Sequence, residues 1–297
     1  MSELITRTVY GSHLQTDMLL GLPHKILKNT TQNERFNIQS GVLPPDGRTP
    51  VLNLWGVGNG GHVMATGPGG VQYPKGLQHK ATDASAFNPM PLILREPTND
   101  LTQAERNLFC GRREEQHQGR TWIAYYFCWL PKVGVESVME YHVVKDGEDV
   151  VSPFVPDTSN LNPVPDPLSS EGVNVISGDY VSTTARTPLT MSAWLAAEFL
   201  NVSRVMYDTD ELAIISELVL CSSVPKVVPV SSGGANFQFN EAVGIQCVSH
   251  FSCFFPMKYN NNGVELLLDI GATEPLFAKQ TLGGTSSSGL VSPGLSA

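Results

Sequence analysis

Ten consecutive residues, Thr121 to Leu130 (TWIAYYFCWL), combine aromatic and β-branched side chains and present no polar face. A strand reads this way when both of its faces are covered, so the segment demands a sheet with material packed on either side. The rest of the chain fits such a sheet. Charged residues make up 16% of the sequence, where soluble domains average about 25%. Punctuation comes from 27 glycines and 21 prolines. Sparse charge with abundant turn formers predicts a mainly β, α+β protein with a few short helices. Its antiparallel sheets are expected in a sandwich-like arrangement, with an extended terminal arm and surfaces covered by partners. At 297 residues the chain can bury one large core or two smaller ones.

Local signals place the elements. Ser2 to Tyr10 reads as extended, and Ser12 is placed to cap a short helix with Leu14, Met18 and Leu19 on one face, stopped by Pro23. The turn Pro44-Pro45-Asp46-Gly47 precedes a short apolar strand at Val51 to Trp55, and loops dominate from Val71 until the strand-like PLILRE ending near Arg95. Asp100 or Thr102 is placed to cap a helix over Gln103 to Cys110, and Glu105 three residues after Thr102 completes a capping-box pattern. Ser137 to Lys145 is expected as the hairpin partner of Thr121 to Leu130. Met191 to Leu200 has the clearest helical spacing, through Trp194, Leu195, Glu198 and Phe199. Strands are expected at Leu212 to Cys221, Phe237 to Phe255 and Val264 to Ile270.

Five prolines between Ser152 and Ser170 preclude a regular ladder there. The expected organisation is a β-rich region at 1–150, a Pro-rich connector at 151–170 and a second β-rich region at 171–280 with one helix near 190–200. A tail at 281–297 completes it. That tail (TLGGTSSSGLVSPGLSA) buries too little apolar surface to offset its ordering entropy, roughly 1 to 2 kcal/mol per residue. Stretched out it reaches about 55 to 60 Å, so it is expected to act by lying along a neighbouring subunit.

Several function classes find no support. A net charge of −9 and a pI near 5.2 argue against a nucleic-acid groove. The one basic knot, Arg112 and Arg113 with Arg106 and Arg120 nearby, sits beside Glu114 and Glu115 and reads as a solvated or salt-bridged loop. No run of 18 apolar residues is present, and the N-terminus lacks the apolar core of a signal peptide. Five cysteines, an odd number in a large chain, predict thiols rather than disulfides and synthesis in a reducing compartment, the cytoplasm.

Site motifs are equally spare. Gly56-Val57-Gly58-Asn59-Gly60-Gly61 matches GxGxxG, but the glycines and prolines that follow forbid the helix whose N-terminus would face a pyrophosphate, so no cofactor is expected. A flexible contact loop fits better. Cys247, His250 and Cys253 have metal-like spacing, yet strand alternation would set His250 on the face opposite the two cysteines, and no metal is expected there. Asp208, Asp210 and Glu211 read as a polar turn, and Glu114, Glu115 and His117 as ordinary surface. No GxSxG, HExxH or P-loop motif occurs, so the chain is expected not to be an enzyme.

The opening stretch Arg7-Thr8-Val9-Tyr10-Gly11-Ser12-His13-Leu14-Gln15-Thr16-Asp17-Met18-Leu19 resembles the start of a baseplate wedge protein family of contractile-tailed bacteriophages. Ile215 to Leu220 and Asn240 to Val243 look like strand-and-turn sequence of phage virion proteins. The resemblance implies a non-catalytic, β-rich virion subunit, made in the host cytoplasm, that binds other baseplate proteins and copies of itself. It implies no membrane, nucleic-acid or small-molecule partner. A capsid or head-decoration protein is the structural alternative, and a hydrolase or glycan-binding β-protein the chemical one. Contact segments are expected at Thr281 to Ala297, Gly56 to Gly70 and Ser152 to Ser170. The candidate positions are Gly56, Gly58, Gly61, Pro163, Pro165, Leu282, Leu290, Val291 and Leu295.

Overall fold

The computed structural model describes residues 4–45, 47–145, 148–158, 180–232, 235–259 and 263–275. The connector positions Pro163 and Pro165 lie outside these residues, as does the tail with Leu282, Leu290, Val291 and Leu295. The protein is mainly β, with short helices and antiparallel sheets. In chain order the first strands are β1 (Leu4–Arg7), β2 (Val51–Gly58), β3 (His62–Thr66), β4 (Gln72–Gly76), β5 (Pro89–Met90), β6 (Ile93–Arg95) and β7 (Phe109–His117). They are followed by β8 (Arg120–Trp129), β9 (Ser137–Lys145), β10 (Glu148–Pro153), β11 (Tyr180–Met191), β12 (Ile214–Ser232), β13 (Ala235–Pro256) and β14 (Val264–Pro275). The helices are α1 (Val9–Leu20), α2 (Gln32–Arg35), α3 (Gln103–Arg106) and α4 (Ala193–Tyr207).

The chain divides into two compact units that are not consecutive in sequence. One takes the described residues of Met1–Leu130 and Thr190–Glu265, the other those of Pro131–Leu189 and Leu266–Ala297. The linear division expected at 151–170 therefore does not hold: Tyr180 on β11 pairs with His142 on β9, so strands on either side of the connector share one sheet.

In the first unit the sheet runs β1-β13-β12-β2-β8-β6, with β7 added to β8 and β5 to β2. Thr121 to Leu130 is the covered strand its composition demands. Ile123, Ala124 and Tyr125 on β8 are each at most 1% exposed. Its partner is not Ser137 to Lys145. The β7–β8 hairpin pairs Phe109 with Cys128 through to His117 with Arg120, closed by Gln118 and Gly119 at φ +49° and +74°. Two consecutive left-handed residues give the hairpin turn whose twist matches its strands. Burying a large apolar side chain contributes about 1.5 to 3 kcal/mol. Leu54, Met90, Ile93, Phe199 and Ile245, all under 2% exposed, make this unit's core its main source of stability.

The helices depart from expectation at their ends. Thr8, not Ser12, caps α1: its Oγ1 accepts from Gly11 N at 3.1 Å and donates to Cys247 O at 2.6 Å. The buried face of α1 is Gly11, Leu14 and Asp17, which leaves Met18 and Leu19 exposed. The expected capping box of Thr102 with Glu105 is formed, and Thr31 with Glu34 forms a second on α2. The helix expected to reach Cys110 stops at Arg106 because Phe109 enters β7. Ser192 caps α4, which buries Leu195, Ala196, Phe199, Val202 and Ser203 at helical spacing.

In the second unit the order is β10-β9-β11-β14. Arg186 on β11 and Asp269 on β14 form a bidentate pair at 2.8 and 3.1 Å.

Candidate functional site

Two polar constellations stand out, both in the first unit. The deeper one is centred on Glu217, the single carboxylate in the apolar run of β12. It is fully buried. Its Oε1 accepts from Phe87 N at 2.7 Å and from His79 Nε2 at 2.9 Å, and its Oε2 accepts from Gly60 N at 3.0 Å and Asn88 N at 3.3 Å. The other nitrogen of His79 meets Asp83 Oδ2 at 3.0 Å. Both faces of that ring are covered, by Phe87 at 3.9 Å between centroids and by His250 at 4.0 Å.

Burial alone would raise the pKa of Glu217, but His79 and the three backbone N–H groups outweigh it and hold the carboxyl below its ordinary value. Asp83 is likewise held low, the Lys80 N–H and His79 overcoming its desolvation. Burial pushes His250 down to about 4, so its ring is neutral at pH 7. A carboxylate–imidazole–carboxylate line could relay a proton in an open cleft. Here every member is occupied by protein donors or stacked rings, and the line anchors the irregular chain from Leu77 to Pro89 onto the sheet.

The glycines expected in a flexible contact loop serve that anchor. Gly56, Gly58 and Gly61 are buried. A Cβ on Gly58 would come within 2.5 Å of Glu217 Oε2, and one on Gly61 would collide with Ser216 O and the Glu217 side chain. Gly58 and Gly61 are small because Glu217 passes against them, and Gly56 because the Phe127 ring and Tyr126 O do; being buried, the three present no surface to a partner. The hairpin that follows differs: Val63, Met64, Val71 and Tyr73 on or beside β3 and β4 are exposed.

Strand alternation fails at Cys247 and His250. The pairing Leu220 with Ser249 followed by Cys221 with Cys247 skips Val248, a β-bulge. Val219, Cys221 and their partners His250 and Cys247 consequently share one face, and Cys253 lies on the other. The Cys247 thiol meets Cys221 Sγ at 3.6 Å, while His250 stacks on His79. None of the five cysteines is in a disulfide, and burial pushes the Cys110 and Cys221 thiols well up, which keeps them protonated and unreactive.

Several of the remaining sequence candidates are held in ion pairs. Arg112 and Arg113 lie on β7, a strand rather than a loop. Arg112 pairs with Asp100 at 3.0 Å and Arg113 with Glu115 at 2.9 Å. Tyr126 donates to Glu115 at 2.5 Å, and burial with that hydrogen bond raises the Tyr126 pKa. Asp210 is bonded by Arg204 and Lys258, and Asp208 ends α4 in a left-handed conformation.

The second constellation borders an open groove of about 650 Å³. Met18 and Leu22 form one wall and Leu43 to Pro45 the other, with Lys25 and Arg48 along it. Gly21 ends α1 at φ +63°, with its N–H turned to the carbonyls of Asp17 and Met18. That left-handed turn returns the chain so that His24 meets the helix it has just left. His24 Nδ1 is 2.8 Å from Asp17 Oδ2, and His13 Nε2, one turn earlier on α1, is 3.3 Å from the same oxygen. The three ligand atoms lie within 4.8 Å of one another. Sequence reasoning passed over this set. Its visible signal was the i, i+4 spacing of His13 and Asp17 on a helix.

A family model described as a family of unknown function, DUF7208, matches residues 1–285. The chain belongs to this family. The match takes in both units, the Glu217 anchor and the groove with its His13–Asp17–His24 edge, so these are features of a DUF7208 protein. No curated protein and no solved structure matches the chain.

Proposed function

We propose that the chain is a non-catalytic structural subunit of a phage virion, a baseplate wedge or tail component that acts through contacts with other virion proteins. The observation that carries this reading is the apolar groove. Met18 and Leu22 line it, Leu19 and Leu20 between them in the chain are exposed, and Leu43 opposite is 73% exposed. Leucines in that state gain by being covered, and contiguous exposed apolar surface marks sites of protein association. The exposed hairpin of β3 and β4 offers a second such surface. The resemblance of Arg7 to Leu19 to a wedge family adds the virion context, and that stretch includes much of the groove's helical wall.

A mass-spectrometric inventory of purified particles with stoichiometry tests the reading. A few copies per particle fit a wedge or tail position, and many copies favour the shell or head-decoration alternative. Absence from particles would sink it. Leu19→Asp combined with Leu43→Asp is expected to leave the melting temperature within a few degrees of wild type while reducing incorporation.

A further inference from the structure

We propose that His13, Asp17 and His24 form a zinc-binding site at the edge of the groove, with its fourth coordination position open to the groove. The hydrogen-bond chain behind His24 decides which of its nitrogens carries a proton. Thr30 Oγ1 donates to Leu27 O at 2.7 Å, so it accepts from Gln246 Nε2, also at 2.7 Å. This turns Gln246 Oε1 toward His24 Nε2 at 3.3 Å, and that nitrogen is therefore the N–H of the ring. In a neutral ring His24 Nδ1 then presents a lone pair to a carboxylate oxygen only 2.8 Å away. Two acceptors at that distance need a positive charge between them: a second proton on the ring or a cation.

Two features favour the cation. A second imidazole, His13, converges on the same carboxylate oxygen, so two ring nitrogens and one carboxylate oxygen face one another. An outer hydrogen bond from the non-ligating ring N–H to an amide oxygen is the arrangement by which metal-ligating histidines are oriented. A tetrahedral zinc with bonds near 2.0 to 2.1 Å sets its ligand atoms about 3.3 Å apart; the two nitrogen–oxygen distances are 2.8 and 3.3 Å, and with all three atoms within 4.8 Å the half-exposed His13 ring would close in on binding. The two-nitrogen, one-oxygen set suits zinc, and His13, with 41% of its side chain exposed, leaves one side of the site reachable from solvent.

The full-length protein, stripped with chelator and titrated with zinc by calorimetry, is expected to bind one ion per chain in the micromolar range or tighter. Cobalt substitution should give the visible absorption of a four-coordinate site with nitrogen and oxygen ligands. His13→Ala, at an exposed position, should keep the fold by circular dichroism and abolish binding. Gln246→Met, which removes the acceptor fixing the ring, should weaken binding about 10- to 100-fold. Binding retained in His13→Ala would overturn the proposal. So would no zinc uptake together with a nitrogen NMR signature showing both His24 nitrogens protonated at neutral pH.

Discussion

Replacing Glu217 by Gln keeps the shape of the side chain and removes its charge. The amide can retain one acceptor oxygen, but its NH₂ must then face two donors: Gly60 N and Asn88 N, or Phe87 N and His79 Nε2. Hydrogen bonds to a charged group contribute about 1.5 to 3 kcal/mol each, and a buried donor left without a partner costs about 1 to 3 kcal/mol. Losing two such bonds, with some relaxation of the chain near Asn88, should destabilise the first unit by about 3 to 5 kcal/mol. For a unit of this size that corresponds to a fall in melting temperature of about 10 °C. Urea unfolding followed by circular dichroism measures the first quantity, and hydrogen exchange at Gly60, Phe87 and Asn88 tests its location. An exposed control, Glu96→Gln, should change stability by less than about 0.5 kcal/mol. If Glu217→Gln unfolds within about 1 kcal/mol of wild type, the carboxylate is not the anchor and the argument from its donors fails.

Gly61→Ala should cost about 1 to 3 kcal/mol, because the new methyl group meets the backbone of Ser216 rather than a movable side chain; Gly119→Ala, where nothing lies within 4 Å, would pay only for its left-handed φ. His250 is neutral in the fold down to about pH 4 but titrates near 6.5 when unfolded, so the unfolded chain binds the extra proton as pH falls. Its contribution is complete above pH 6.5 and is lost on the way to pH 4; urea titrations at pH 7.5 and 4.5 should differ by about 2 to 3 kcal/mol on its account, and His250→Gln should remove most of that difference. His62, held low by burial, works with the same sign. Below about pH 4.5, protonation of Glu217 and Asp83, whose pKa values are depressed in the fold, adds a further loss as pH falls through their folded values. Thr102→Ala removes the cap of α3 and should cost about 1 kcal/mol, measured by thermal unfolding.

What the sequence disclosed depended on how local the cause was. The capping box at Thr102 and Glu105 was legible because its donors and acceptors lie three residues apart. The covered strand β8 was legible because coverage on both faces leaves no polar position. Its partner was not: β7 carries Arg112 to Glu115 in its middle, which reads as solvated surface until Asp100 and Tyr126 are brought to it from elsewhere in the chain. The bulge at Val248 reversed the side on which His250 was expected, and one extra residue in a strand has no composition of its own. Glu217 and His79 are separated by more than a hundred residues, so only the oddity of one acid within an apolar strand pointed to the anchor. The groove's edge was hidden for a similar reason, since His24 reaches Asp17 only through the left-handed turn at Gly21.

The register that joins Leu4 to Ser252 and Arg7 to Ser249 bears on how the chain is made. A ribosome releases the first strand early and its neighbour in the sheet almost 250 residues later. At about 5 to 20 residues per second that interval lasts roughly 12 to 50 s. The covered strand β8 finds β2, β6 and β7 already synthesised, but β2, which lies between it and β12, acquires that neighbour only when Glu217 to Ser223 have emerged. During that time the apolar run from Thr121 to Trp129 has its β7 hairpin partner but not its complete sheet. A nascent chain in this state is a substrate for holding chaperones, and its yield in a cell should depend on translation speed and temperature more steeply than the stability of the finished fold would suggest.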